Sequence, residues 1–228
     1  MIQILLDVVL CAVFIFIGSA GGIMAKNAGF YIPFLMVFIV VFFLVYYGAH
    51  VLFSMMISNQ TRKLMEKYTA DGDLGAYLNG HEKLVKIVRT KTLKFVLYNN
   101  MAYGYTKNKD FTTAAKFLED IDPKYYSKNL MLKLLYYYNL ASCYFHIFEP
   151  EKAVEILNNI PENNRTIFKN HKYETYRRLW LFDEINRKVA ENKLDEAKAL
   201  CDEFMEKYGN DNENAVEFIK ENILKLFE

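Results

Sequence analysis

FYIPFLMVFIVVFFLVYYGAHVLFSMMIS, residues 30–58, runs for twenty-nine positions without one Asp, Glu, Lys or Arg. About 20 apolar residues in a helix cross the hydrocarbon core of a bilayer, so this run spans it with a turn or two to spare. Backbone polar groups in lipid must be satisfied within the segment, which dictates a helix. The surplus length predicts that the helix continues past the membrane surface and leads straight into the C-terminal part of the chain.

A second apolar run precedes it at residues 2–25, interrupted only by Gln3 and Asp7. No Lys or Arg stands before that run, as a secretory signal requires, so it reads as an uncleaved helix. Lys26-Asn27-Ala28-Gly29 then reads as the turn of a two-helix hairpin. The membrane unit is residues 1–58, with spans at about 2–25 and 30–57. Gly18, Ser19, Ala20, Gly21 and Gly22 form a small-residue patch, and the spacing of Gly18 and Gly22 is one that lets two membrane helices approach closely. Arg62, Lys63 and Lys67 come after the second span, whereas the turn offers Lys26 alone. The positive-inside rule therefore predicts a multi-pass protein of the cell membrane, with both termini and the C-terminal domain in the cytoplasm. Tyr46 and Tyr47 fall near the cytoplasmic interface, and Phe30 and Tyr31 near the outer one. In such a hairpin, Asp7 lies within one turn of His50. Asp7 is either a boundary marker reached by interfacial water or half of a proton-sensitive latch with His50.

The composition changes sharply after residue 58. The 228-residue chain holds 28 Lys+Arg and 27 Asp+Glu, yet only Asp7 and Lys26 fall in the first 58 positions. About 170 residues remain, enough for a soluble domain with its own core. Residues 61–109 carry ten basic and four acidic residues, and from Asp110 onward acids lead by 22 to 17. The basic part is either a solvated helix face or a surface for anionic lipid, which attracts each cation by ~1 kcal/mol. Cys11, Cys143 and Cys201 form no disulfide framework, which points to a reducing compartment.

Past the membrane the periodicity is helical and nowhere alternates like a strand, so the fold class is all-α. Helices are expected at about 59–69, 74–90, 91–107, 111–121, 129–147, 150–159, 166–191, 194–208 and 212–227. Asp110 caps the helix starting at Phe111, Pro150 fits a first helical position, Asn192 caps the next helix, and Gly209 stops it.

These helices repeat. Tyr98-x2-Met101-Ala102-x2-Tyr105, eight residues, then Ala114-x3-Leu118-x2-Ile121 recurs as Tyr137-x2-Leu140-Ala141-x2-Tyr144, eight residues, then Ala153-x3-Leu157-x2-Ile160. Ala197-x3-Cys201-x2-Phe204 continues the second helix, while Leu181, Glu184, Ile185 and Lys188 depart from the first. The pattern resembles the tetratricopeptide repeat (TPR) over roughly residues 91–208, with unit offsets longer than that family's usual 34. The resemblance implies a TPR-like α-α solenoid at 91–228, which follows the two transmembrane helices read from the apolar runs. Residues 59–90 are then a membrane-proximal linker or degenerate repeat, and the last helix caps an exposed end.

Local motifs offer little chemistry. Asp71, Asp73 and Glu82 have the outer spacing of a calcium loop but Ala76 where the sharp turn needs Gly, and read as a polar turn. Cys143 and His146 share a helix face without further ligands and read as a packed pair. No phosphate loop, nucleophile turn or basic-aromatic stripe for nucleic acid is present. No catalytic residue, metal ligand or cofactor is expected, and a membrane enzyme would rest on Asp7 and His50 alone.

The resemblance implies a concave face lined by first helices that holds a peptide or partner helix. Asn99, Asn100, Tyr103, Tyr138, Asn139, Ser142, Phe145 and Asn186 map there. Asn amides bond peptide backbone in either direction, and Tyr adds contact area at low entropic cost. Of the carboxylate clamp used by one branch of that family only Asn139 remains, since Leu179 and Asp183 stand where cations are needed. The expected function is a membrane-anchored, non-catalytic scaffold or adaptor that binds a protein or peptide. The alternative is a regulatory or assembly subunit of a membrane transporter or secretion complex.

Overall fold

The computed structural model describes residues 2–27, 29, 31–210 and 214–227, and among them every regular element is helical, with no strand. Ala28 of the expected turn, Phe30 of the outer aromatic pair and the first residues of the expected 212–227 helix lie outside the described residues. The chain divides into two compact units, Met1–Leu97 and Tyr98–Glu228.

The first unit holds α1 (Ile2–Asn27), α2 (Tyr31–Asp71), α3 (Leu74–Ile87) and the start of α4 (Lys91–Lys107). The apolar run does continue beyond its own end, because α2 is one helix of 41 residues. The expected helix at 59–69 is its last third. That is ~60 Å of helix, twice the thickness of a bilayer core. Among the described residues α2 is the helix long and apolar enough to cross a membrane, while the apolar stretch of α1, Asp7–Ile23, is shorter.

The α1–α2 contact rests on glycine. A Cβ built at Gly18 would stand 2.7 Å from the ring of Phe38, and one at Gly21 would stand 2.5 Å from the ring of Phe34. Aromatic rings, rather than the opposite backbone, fill the space that the missing side chains leave. Phe14 of α1 adds ring contacts to Phe38 at 5.6 Å and Phe42 at 4.9 Å.

The α2–α3 turn explains the acidic residues at 71 and 73. Gly72 adopts φ 72°, which suits glycine. Asp71 Oδ1 accepts the Asp73 N–H at 3.0 Å, and Asp73 Oδ1 caps α3 by accepting the Ala76 N–H at 2.8 Å. Helix α3 then runs back along α2. Tyr77 stacks on Tyr68 at 4.7 Å, Gly80 lies under Leu64, and Val88 joins a core with Phe53 and Ile57.

The second unit holds the remainder of α4, then α5 (Phe111–Glu119), a 3-10 turn at Pro123–Tyr125, α6 (Leu130–His146), α7 (Pro150–Asn158), α8 (Glu162–Lys169), α9 (Glu174–Ala190), α10 (Leu194–Tyr208) and α11 (Asn214–Phe218). A π turn at Ile219–Ile223 and a 3-10 turn at Leu224–Leu226 complete it. The single helix expected at 166–191 is two. Asn170 ends α8, and the backbone bends through 171–173, where Arg177 donates to the His171 carbonyl at 2.7 Å and the Tyr173 N–H to the His171 ring at 3.2 Å.

Helices α4 and α5 meet through Tyr98, Tyr105 and Phe117. Helix α6 packs on α5, α7 and α9, and α9 on α7, α8 and α10. The three turns α4–α5, α6–α7 and α9–α10 share one form. Lys109, Phe148 and Asn192 have positive φ of 59°, 60° and 58°. The next residue in each donates its N–H five positions back: Asp110 to Tyr105 (3.0 Å), Glu149 to Tyr144 (2.9 Å) and Lys193 to Lys188 (2.9 Å). This is the Schellman ending, which satisfies carbonyls orphaned at a helix C-terminus. Asn192 is therefore the left-handed residue that ends α9 and not the cap of α10, whose N-cap is Lys193. Asp110 does cap α5, through the Thr113 N–H at 3.0 Å. Ala114, Ala153 and Ala197 come after these turns at the same distance, and all three are 0% exposed.

Candidate functional site

The residues expected to line a groove lie on α4, α6 and α9. Asn139 Nδ2 of α6 donates to Asn99 Oδ1 of α4 at 2.7 Å, so two of the candidates bond each other. Tyr103 is exposed, with Lys107 Nζ 5.6 Å above its ring. Asn99, Asn100, Asn139 and Ser142 are half-buried.

Three candidates are core instead. Tyr138 and Phe145 are each 3% exposed, and Asn186 is 6% exposed. Asn186 Nδ2 donates to the Phe182 carbonyl in its own helix at 2.8 Å. Tyr138 is covered by α8, the helix inserted between the second and third left-handed turns. Its ring stacks on Phe168 at 5.0 Å, and its hydroxyl donates to the Arg165 carbonyl at 3.2 Å. Burial raises the Tyr138 hydroxyl pKa, with the nearby Asp183 and Glu184 acting in the same direction. These three side chains belong to the core and offer no surface to a partner.

Sequence reading missed two further groups. Asp183 is 0% exposed, and neither carboxylate oxygen has a hydrogen-bond partner. Burial, followed by the charge of Glu184, pushes its pKa well above the ordinary carboxylate value. Its position relative to Asn139 was visible as a departure from the clamp pattern, but burial of a bare carboxyl was not. The other group is the C-terminal segment. Rather than closing the last helix pair alone, it reaches back to the first two left-handed turns and to α9. Asn214 Nδ2 donates to the Thr106 carbonyl at 2.6 Å, Lys109 Nζ pairs with Glu217 Oε1 at 2.7 Å, and Phe218 lies near the rings of His146, Phe148 and Phe182. Ring-to-ring distances of 4.0 Å from Phe111 and 4.9 Å from Phe182 complete an aromatic cage around His146. Burial lowers the His146 pKa, opposed by its bond to the Ser142 carbonyl and by the Asn214 backbone. Cys143 is buried one turn back, its thiol pushed up to about 12 by burial, so it behaves as an inert apolar side chain.

No known protein family, curated protein or solved structure matches the chain.

Proposed function

We propose that the chain is a membrane-anchored, TPR-like interaction module. The α1–α2 hairpin holds it in the cell membrane, and a helical array on the cytoplasmic side binds another protein or a peptide without catalysing a reaction. One observation carries this reading: the same left-handed turn recurs at Lys109, Phe148 and Asn192, each leading to a fully buried alanine. A chain with one turn geometry at repeat offsets builds stacked helix pairs, and such stacks serve as extended binding surfaces. The accessible part of the first-helix face is Asn100, Tyr103 and Ser142, where an exposed tyrosine supplies contact area and the polar neighbours supply hydrogen bonds.

A second reading makes the hairpin the working interface of a transporter or secretion complex. It is favoured by an apolar cleft of about 360 Å³ between α1 and α2, lined by Cys11, Phe14, Gly18, Phe38 and Phe42 among others. Co-purification in mild detergent separates the two. Under the first, a partner is lost on Tyr103→Ala and kept when the hairpin is exchanged for an unrelated two-helix anchor. Under the second, the outcomes are reversed.

A further inference from the structure

Arg89 Nη1 lies 3.9 Å from Asp7 Oδ2, which ties the α3–α4 turn to the end of the hairpin. Helix α3 delivers it there. Running antiparallel to α2, it brings Val88 against Phe53 and Ile57, the last turns of the charge-free run that ends at Ser58. On the reading of α2 as a membrane span, on which this inference rests, that level is the headgroup layer of the bilayer.

The segment so placed is strongly cationic. Residues 83–97 carry Lys83, Lys86, Arg89, Lys91 and Lys94 and no Asp or Glu. The buried stripe of α3, Tyr77, His81 and Leu84, faces inward, while Lys83, Lys86, Arg89 and Lys91 are exposed. From Lys83 to the end of α3 at Ile87 the helix rises only ~6 Å, less than one Debye length at physiological salt, and Arg89 and Lys91 follow within four residues of that end. All of these charges therefore act on the same surface at once. We propose that the α3–α4 turn is a docking surface for anionic lipid headgroups of the leaflet at this end of the hairpin. The packing of Val88 fixes the turn beside the bilayer, and the uninterrupted positive charge selects anionic over zwitterionic lipid.

The test is amide hydrogen exchange of the full chain in nanodiscs, comparing phosphatidylcholine alone with a mixture one-third phosphatidylserine. Exchange across residues 83–97 should slow by about tenfold in the anionic discs, and molar salt should remove the difference. The variant Lys83→Gln, Lys86→Gln, Lys91→Gln, Lys94→Gln keeps Arg89 beside Asp7 and should exchange alike in both discs. Equal exchange of the parent chain in both discs overturns the inference alone. A chain that does not incorporate into neutral discs overturns the span reading and the inference together.

Discussion

Asp7 Oδ1 stands 3.4 Å from His50 Nε2, so the acid interrupting the first apolar run meets the histidine interrupting the second. Both side chains are about a quarter exposed. The pair is thus screened only in part, and a double-mutant cycle of Asp7→Asn and His50→Ala in detergent should give a coupling of about 0.5–1 kcal/mol. Arg89 also approaches Asp7 and competes for its carboxylate, so Arg89→Gln should leave that coupling intact or raise it. A coupling of zero would make Asp7 a boundary marker only.

The hairpin contact should be intolerant of side chains at two glycines and indifferent at a third. Gly21→Leu places atoms where the Phe34 ring lies, and Gly18→Leu does the same against Phe38. Overpacking of this kind costs ~1–3 kcal/mol. Gly48 has open space around its Cβ position, so Gly48→Ala should leave the hairpin unchanged or firmer. Thermal unfolding of the full chain in detergent measures all three, and equal melting of the Gly21 and Gly48 variants would refute the packing.

Ala141 is 0% exposed on α6, a helix that packs on α7, whose Ala153 is equally buried. Ala141→Leu should cost ~1–3 kcal/mol or more. Tyr103→Ala removes an exposed ring and should leave the melt close to that of the parent while weakening partner binding. If the Ala141 variant melts like the parent, the helix pairing is wrong.

How much was legible in the sequence depends on how local its causes are. Apolar periodicity, Asp110 as a cap, Pro150 at a helix start and the alanine spacing are set by neighbouring residues, and all appear in the fold. Asn192 misled because Asn serves both as an N-cap and as a left-handed C-terminal residue, and only the turn hydrogen bonds distinguish these. The break between α8 and α9 carries no Gly or Pro; it is fixed by Arg177 and the His171 ring. The eight groove positions come from a family register, and the burial of Tyr138 depends on the inserted α8, whose packing on that ring no local pattern reveals.

Asp183 and His146 should give the second unit opposite responses to pH. The folded-state pKa of Asp183 is raised, so its contribution is complete below ~4, the unfolded value, and is lost as pH rises through the folded value. The groups around it are Tyr138, Cys143 and Glu184. For His146 the folded-state pKa is lowered, so stability is complete above ~6.5 and is lost as pH falls through the folded value. Amide exchange in α6 and α9 reads both. Asp183→Asn should slow exchange at neutral pH and leave only the acid-side loss, whereas His146→Phe should remove that loss. Unchanged pH profiles in both variants would show that neither group is titrating as its burial dictates.

The C-terminal segment should open before the helices it covers. Its buried anchors are Val216, Ile219 and Ile223, but its backbone passes from α11 into a π turn and then a 3-10 turn. Both forms bond less favourably than an α-helix, so few well-made hydrogen bonds oppose fraying. Amides at 216–226 should therefore exchange faster than those of α6. Phe218 bridges the segment to His146 and Phe182, and truncating it removes apolar contact at a half-buried site, a loss of about 1–3 kcal/mol. In Phe218→Ala the segment should exchange faster still, and His146, now reached by water, should titrate closer to an ordinary histidine. Histidine ring NMR measures that shift. Exchange at 216–226 as slow as in α6, together with an unmoved His146 titration, would show that the segment is a fixed part of the core and not a cover over the α4–α5 and α6–α7 turns.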